Sequence, residues 1–395
     1  MNILRNSIFQ ISLAVIFGFF LESFLSLQSL RLFFTISQFL KDFLMVLLPF
    51  LIFFSLGSVL FTFKKSAPLL ILGLFVFVIL SNFLSVSTAY GFAYLFLPTL
   101  CEDMCLNINQ QASEISTLFI FPLKPFFKSD MALLSGAIVG VACIFFEGNI
   151  QKNIVIFLQK GKVITTTLLK KGFIPFLPLY IFGFILKLQH DGFLTELVHS
   201  YGKVFILNII LIIGYILFMY LVSAKFSFFK ALRYIKTMLP AGLTGLSTMS
   251  SMAALPVTIE ATKENLKGSD YADFVIPATA NNHMVGDGLN IAITAIALLL
   301  MTDCGFPSLK IYLVFVIHYC IVKFSGVGVP GGGVLVILPV IQTYLGLSAE
   351  LTSLLATIYI LQDALLTSAN VMANGAFAII THRVFEKLKW IKKNN

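Results

Sequence analysis

The sequence predicts an all-α, multi-pass membrane protein: eight transmembrane helices plus two re-entrant helical hairpins, related as inverted repeats. Three observations carry that expectation. Of 395 residues, 58% are hydrophobic and only 11% charged, with mean hydropathy +0.96, whereas a soluble domain carries about 25% charged residues. Apolar stretches long enough to cross a hydrocarbon core of roughly 30 Å recur along the chain. Basic residues gather in alternate connections, the usual mark of cytoplasmic loops. Together these exclude a soluble globular domain, a disordered chain, a coiled coil and a nucleic-acid-binding protein. The net charge of +9 then reflects loop lysines rather than an anionic partner. Forty-two Phe against one Trp supply apolar bulk with almost no indole to anchor the interfaces. Five scattered Cys imply no disulfide framework; Cys101 and Cys105 are near enough to pair, but two such Cys are more often unpaired.

The first six apolar windows fall at about 6–27, 43–63, 66–98, 131–147, 172–189 and 204–224. The first follows only Met1–Arg5, with no small-residue cleavage site after it, so it reads as a retained span. After 224 the pattern changes. Residues 237–259 are interrupted by Pro240, Gly242 and Gly245 and then a Ser/Thr cluster. Residues 271–302 are apolar around a polar centre, and 311–346 are broken by Gly326, Gly328, Pro330, Gly331, Gly332 and Gly333. Residues 351–380 form a last helix containing Asp363, Thr367, Asn370 and Asn374.

Loop charge sets the expected orientation. Lys64 and Lys65, then Lys152 to Lys171, then Lys225 to Lys236, and the tail from Arg383 to Lys393 mark one side. Glu102, Asp103, Glu114, Asp191 and Glu196 mark the other. Both termini are thus expected in the cytoplasm, with the chain in the cytoplasmic (inner) membrane. The scheme puts Lys263 and Lys267 on the correct side only if 237–259 and 311–346 each enter and leave on one side. Irregular backbone at membrane depth is tolerated only where protein buries it or it lines a cavity. A lipid-facing helix cannot hold the run 326–333, because each Gly costs about 1 kcal/mol and Pro about 3 relative to Ala. Its place is the tip of a hairpin, as is that of 247–256, where Pro256 can start the return helix. Leu255-Pro256-Val257 and Leu338-Pro339-Val340 form an internal echo after the two tips. Paired interrupted segments of this kind point to a secondary transporter with its site between the repeats.

Several polar residues at membrane depth stand out. An ionisable residue inside a span is rare and functional by default. Asp363, Thr367 and Asn370 lie at i, i+4 and i+7, one helix face. Asp287 and His283 are four residues apart on the seventh helix, so a direct contact is expected, with His283 as a group that titrates near neutral pH. Lys323 pairs with Asp287 or snorkels to the surface. Asn281 and Asn282 either offer amide oxygens to an ion or act as packing glue. No Cys/His spacing marks a metal site and no phosphate loop marks an ATPase. A membrane-embedded enzyme would need a catalytic set at one depth, which the lone His190-Asp191 pair does not supply, and a channel would need a continuous polar path.

These residues resemble the dicarboxylate/amino acid:cation symporters, the glutamate-transporter family, as a divergent member. The resemblance is close from Leu239 to Gly375. It rests on Ser250-Ser251 leading to Leu255-Pro256-Val257-Thr258, on Met284 and Gly286, on Gly328-Val329-Pro330-Gly331-Gly332-Gly333, and on Asp363, Thr367 and Asn370. The resemblance implies a non-enzymatic homotrimer whose transport domain moves like an elevator against a scaffold. Spans one, two, four and five would form the scaffold; spans three and six would join the transport domain. The chain then divides into 1–235 (six spans), 236–382 (transport core) and 383–395 (basic tail). It also implies a small-molecule substrate, an amino acid or small dicarboxylate, and Na+ or H+ as coupling ion, with no other cofactor. Asp363 would hold a substrate ammonium and Asn370 its carboxylate, with Thr367, Ser250, Ser251, Met284, Asp287, Val329 and Gly333 completing the site. Thr279, Asn281, His283, Asn374 and Lys323 would make up the cation or coupling set, and Ser87, Thr88 and Tyr90 would border it. The departures are specific. Val285 and Asn374 stand where the family has cation-binding carboxylates, and Leu366 stands where members that take acidic substrates have Arg. A neutral amino acid and altered coupling are therefore expected, by a proton through His283 and Asp287 or by exchange without a coupling cation.

Overall fold

The computed structural model describes residues 7–62, 68–101, 115–121, 123, 125–127, 129–190, 193–302, 305–326 and 331–389. Val329, in the expected site, and Cys105 lie outside them. All regular structure among the described residues is helical. The first helices are α1 (Ser7–Leu21), α2 (Leu27–Thr62), α3 (Pro68–Cys101) and α4 (Ser129–Phe145). Next come α5 (Gly148–Leu168), α6 (Leu177–His190), α7 (Phe193–Ser223) and α8 (Phe228–Thr248). Then follow α9 (Leu255–Asn265), α10 (Tyr271–Thr279), α11 (Val285–Met301) and α12 (Leu309–Val322). The short α13 (Gly332–Leu335) and α14 (Leu338–Val340) precede the long α15 (Ala349–Lys387).

Among the described residues, five stretches are long and apolar enough to cross a membrane: Leu27–Ser58, Leu72–Cys101, Gly148–His190, Tyr201–Ser223 and Ala349–Lys387. The helices α1 and α4 are shorter, and the window 271–302 is not one helix but two, α10 and α11, joined by a non-helical stretch. Residues 148–168, expected as a cytoplasmic connection, are helical and run through a π turn (Leu169–Phe173) and a 3-10 turn (Ile174–Phe176) into α6. The reason is local: Leu158, Gly161 and Thr165 recur at helical spacing and are buried, while Lys160 is exposed and Lys162 part-buried.

The outer faces are apolar, as contact with lipid demands. Leu72, Val76, Leu80 and Leu84 of α3 are exposed at every fourth position, while Leu74, Val78, Val86, Ala89 and Ala93 of the same helix are buried. The buried centre is α11. Every residue from Val285 to Leu299 is covered by protein, so this helix has no lipid face.

Packing falls into two groups. Helices α1, α4, α5 and α6 gather around α2 or one another, while α3, α7, α8, α10 and α11 gather around α11 and α15. Two hairpins fold into the second group. In the first, α8 ends at Met249 in a left-handed conformation (φ 51°) and α9 returns beside it, starting at Leu255 with Pro256 in its first turn. In the second, α12 and the 3-10 turn Lys323–Ser325 form the incoming limb and the return limb begins at Gly331. At about 1.5 Å per residue, the 11 residues of α9 and the 14 of α12 are too short to span a bilayer. α15 starts where Ser348 accepts the Leu351 N–H and Glu350 sits in the first turn, both favourable at a helix N-terminus.

Candidate functional site

Between α10 and α11 the chain Ala280–Met284 leaves the helix, which frees backbone groups that must find partners at membrane depth. Asn82 of α3 supplies them. Its amide nitrogen donates to the Asn282 carbonyl at 2.8 Å and its amide oxygen accepts the Met284 N–H at 3.2 Å. One fully buried side chain thus holds the break open. Sequence reasoning missed it; the signal was the one amide side chain of α3, beside Ser81 and one turn before Ser85.

Asp363 sits on α15, facing the second hairpin. Gly331 is held in the left-handed region (φ +72°), where glycine carries no steric penalty, and its N–H donates to Asp363 Oδ2 at 2.7 Å. The Thr367 hydroxyl donates to Asp363 Oδ1 at 3.3 Å, so the expected shared face is realised. The carboxylate is therefore pointed at the tip of the hairpin. Asn370, one turn further on, reaches α11 instead. Its oxygen accepts the Gly286 N–H at 2.8 Å and its nitrogen donates to Asp287 Oδ1 at 2.7 Å.

Asp287 is the centre of the second cluster. The Lys323 ammonium lies 2.7 Å from Asp287 Oδ2, and both side chains are at most 1% exposed. Lys323 also donates to the Gly333 carbonyl at 2.9 Å and to Met284 Sδ at 3.5 Å, and sits 5.3 Å from the centre of the Tyr319 ring. Of the two courses open to Lys323 from sequence, pairing inward is the one taken.

The expected contact between His283 and Asp287 does not form. Residues i and i+4 meet only on a continuous helix, and His283 precedes the first turn of α11. Its ring is instead buried across two other helices, with Nδ1 2.9 Å from Asn374 Oδ1 and Nε2 2.7 Å from Ser81 Oγ, and tilted against the Phe377 ring with centroids 4.2 Å apart. Both ring nitrogens are engaged and neither faces a carboxylate.

The other candidates divide. Ser250 Oγ accepts the Ala253 N–H at 3.3 Å, within its own turn, and Ser251 is part-buried beside it. The Thr279 hydroxyl donates back to the Val275 carbonyl at 2.8 Å. Asn281 donates to Met252 Sδ of the first hairpin tip at 3.5 Å, and its oxygen is buried with no bond. In α3, Thr88 bonds its own helix and Tyr90 donates to the Pro307 carbonyl; it is Ser81 and Asn82, one turn and more earlier, that reach the break. A further buried network went unread. Gln362 accepts from Asn290 at 2.5 Å and from Asn208 at 3.4 Å, and donates to Tyr201, whose hydroxyl meets Thr294.

A family model for the sodium:dicarboxylate symporter family matches residues 8–384. A Caenorhabditis elegans protein named for sodium-dependent excitatory amino acid transport, glt-3, is 34% identical over 148 residues. That match covers 37% of this chain and 27% of the relative's length.

Proposed function

The chain belongs to the sodium:dicarboxylate symporter family, and from that premise we propose that it is a secondary active transporter of a neutral amino acid. The observation that carries this reading is a buried Asp363 facing Gly331 of the second hairpin with no arginine beside it among the described residues. The four arginines are Arg5, Arg31, Arg233 and Arg383, none of them within 236–382. Position 366 of α15 holds a buried Leu. Asp363 receives the substrate ammonium, Thr367 and the remaining amide N–H of Asn370 meet its polar groups, and Ser250, Ser251, Met284, Asp287 and Gly333 wall the site. A second carboxylate on the substrate has no counter-ion there, and an unpaired buried charge costs several kcal/mol. Thr279, Asn281, His283, Asn374 and Lys323 form the set that stands in for the usual coupling sites. The inward Lys323–Asp287 pair favours a second reading, exchange without a coupling cation.

The proposed architecture is eight spans and two re-entrant hairpins in the inner membrane, with both termini cytoplasmic. Residues 1–235 carry the six N-terminal spans, of which the third and sixth join the moving core of 236–382 and the others form the scaffold, and 383–395 form the tail. The two packing groups support that division. A homotrimer is part of the reading, and native mass spectrometry in mild detergent should find three times the 43.8 kDa chain; a stable monomer counts against it.

The test is counterflow in proteoliposomes loaded with single amino acids. Exchange with alanine, serine or threonine and none with aspartate or glutamate is the expected result; the reverse selectivity overturns the reading. Leu366→Arg should shift selectivity toward aspartate and glutamate by about 10- to 100-fold, since a hydrogen bond to a charged group contributes roughly 1.5–3 kcal/mol. Unchanged competition by acidic amino acids would show that position 366 does not face the substrate.

A further inference from the structure

We propose that the Lys323 ammonium is a tethered cation: it permanently fills the cation position between the α10–α11 break and the return limb of the second hairpin, so that no sodium ion is needed there. The proposal rests on the reading of the chain as a transporter but not on its substrate.

The donor set is that of a cation cage. Around the ammonium stand the Asp287 carboxylate at 2.7 Å, the Gly333 carbonyl at 2.9 Å and the Met284 thioether at 3.5 Å. The Tyr319 ring closes one side at 5.3 Å. These groups come from the break, α11, α12 and the return limb of the hairpin, so whatever cation they hold joins all of them. The cage has no spare room. A Cβ on Gly333 would fall 2.1 Å from Asp287 Oδ2 and 2.4 Å from the Tyr359 hydroxyl. Asp287 is fully committed, with one oxygen on Lys323 and the other on Asn370.

The consequence concerns the hairpin. Where a cation from solution assembles such a cage, its arrival joins these elements. Here the charge arrives on a side chain four carbons long, anchored at the end of α12 within the same hairpin. The return limb is tied to α11 by the chain's own lysine through the Gly333 carbonyl, and the ion gradient has nothing to bind at this point. Both the family and the relative are named for sodium, so this position distinguishes the chain from what those names describe.

Thermal unfolding of the purified full-length protein tests this without a substrate. Melts are recorded at constant ionic strength in choline, sodium, lithium and ammonium chloride. The wild type should melt at the same temperature in all four. Lys323→Ala should melt several degrees lower in choline and recover, saturably and at millimolar concentration, with sodium or ammonium. Saturable stabilisation of the wild type by sodium overturns the proposal, as does a Lys323→Ala protein indifferent to every cation. If Lys323→Ala does not fold, the double variant Lys323→Met with Asp287→Asn, which lacks both charges, should fold and ignore all four salts; a sodium response from it overturns the proposal, and the wild-type melts decide in any case. Failure of every amino acid in counterflow would overturn the substrate reading and leave these melts intact.

Discussion

Asp363→Asn is expected to reduce uptake by about 100-fold or more while leaving the fold in place. The Asn oxygen still accepts the Gly331 N–H that Asp363 Oδ2 now accepts at 2.7 Å, so the hairpin keeps its anchor. What disappears is the charge. Removing one partner of a buried ion pair costs about 3–5 kcal/mol, and each 1.4 kcal/mol is a factor of ten in affinity. The loss therefore appears as weakened substrate binding. Counterflow by the purified variant, with its melting temperature as the fold control, checks this. Uptake at wild-type levels would mean that the ammonium is held elsewhere.

Gly333→Ala should destabilise the protein by roughly 3 kcal/mol or more. The added methyl would sit 2.1 Å from Asp287 Oδ2 and 2.4 Å from the Tyr359 hydroxyl, so the return limb or the ion pair must move. Overpacking of a core costs about 1–3 kcal/mol, and loosening a buried charge pair adds to it. Gly91→Ala on α3 is the control. A Cβ at Gly91 meets nothing within 4 Å, and Ala is favoured over Gly in a helix by about 1 kcal/mol, so that variant should melt at or slightly above the wild type. Equal melting temperatures for the two variants would show that the second hairpin does not hold the geometry described.

Much of this site was legible from spacing. Asp363 and Thr367, four residues apart, do bond to each other. Leu255-Pro256-Val257 and Leu338-Pro339-Val340 each begin a helix with Pro in its first turn. The proline limits that place both hairpins act within two residues of the ring, so they can be read locally. Reasoning by spacing failed where the helix itself failed. His283 and Asp287 are four apart, yet the chain is not helical between Ala280 and Met284, and the two side chains point to different partners.

The sequence by itself determined the membrane setting, the two interrupted segments and the face that carries Asp363, because each follows from composition or from contacts within a few residues. Only the tertiary structure decided that Lys323 turns inward onto Asp287, 36 residues away, that Asn370 bridges to the same carboxylate across 83 residues, and that Asn82 clamps the break across 200. A lysine's choice between snorkelling and pairing depends on whether a carboxylate and a carbonyl stand within reach of its ammonium, and an orphaned backbone group can be satisfied from any helix that passes near it. Neither condition is written in the residues beside it.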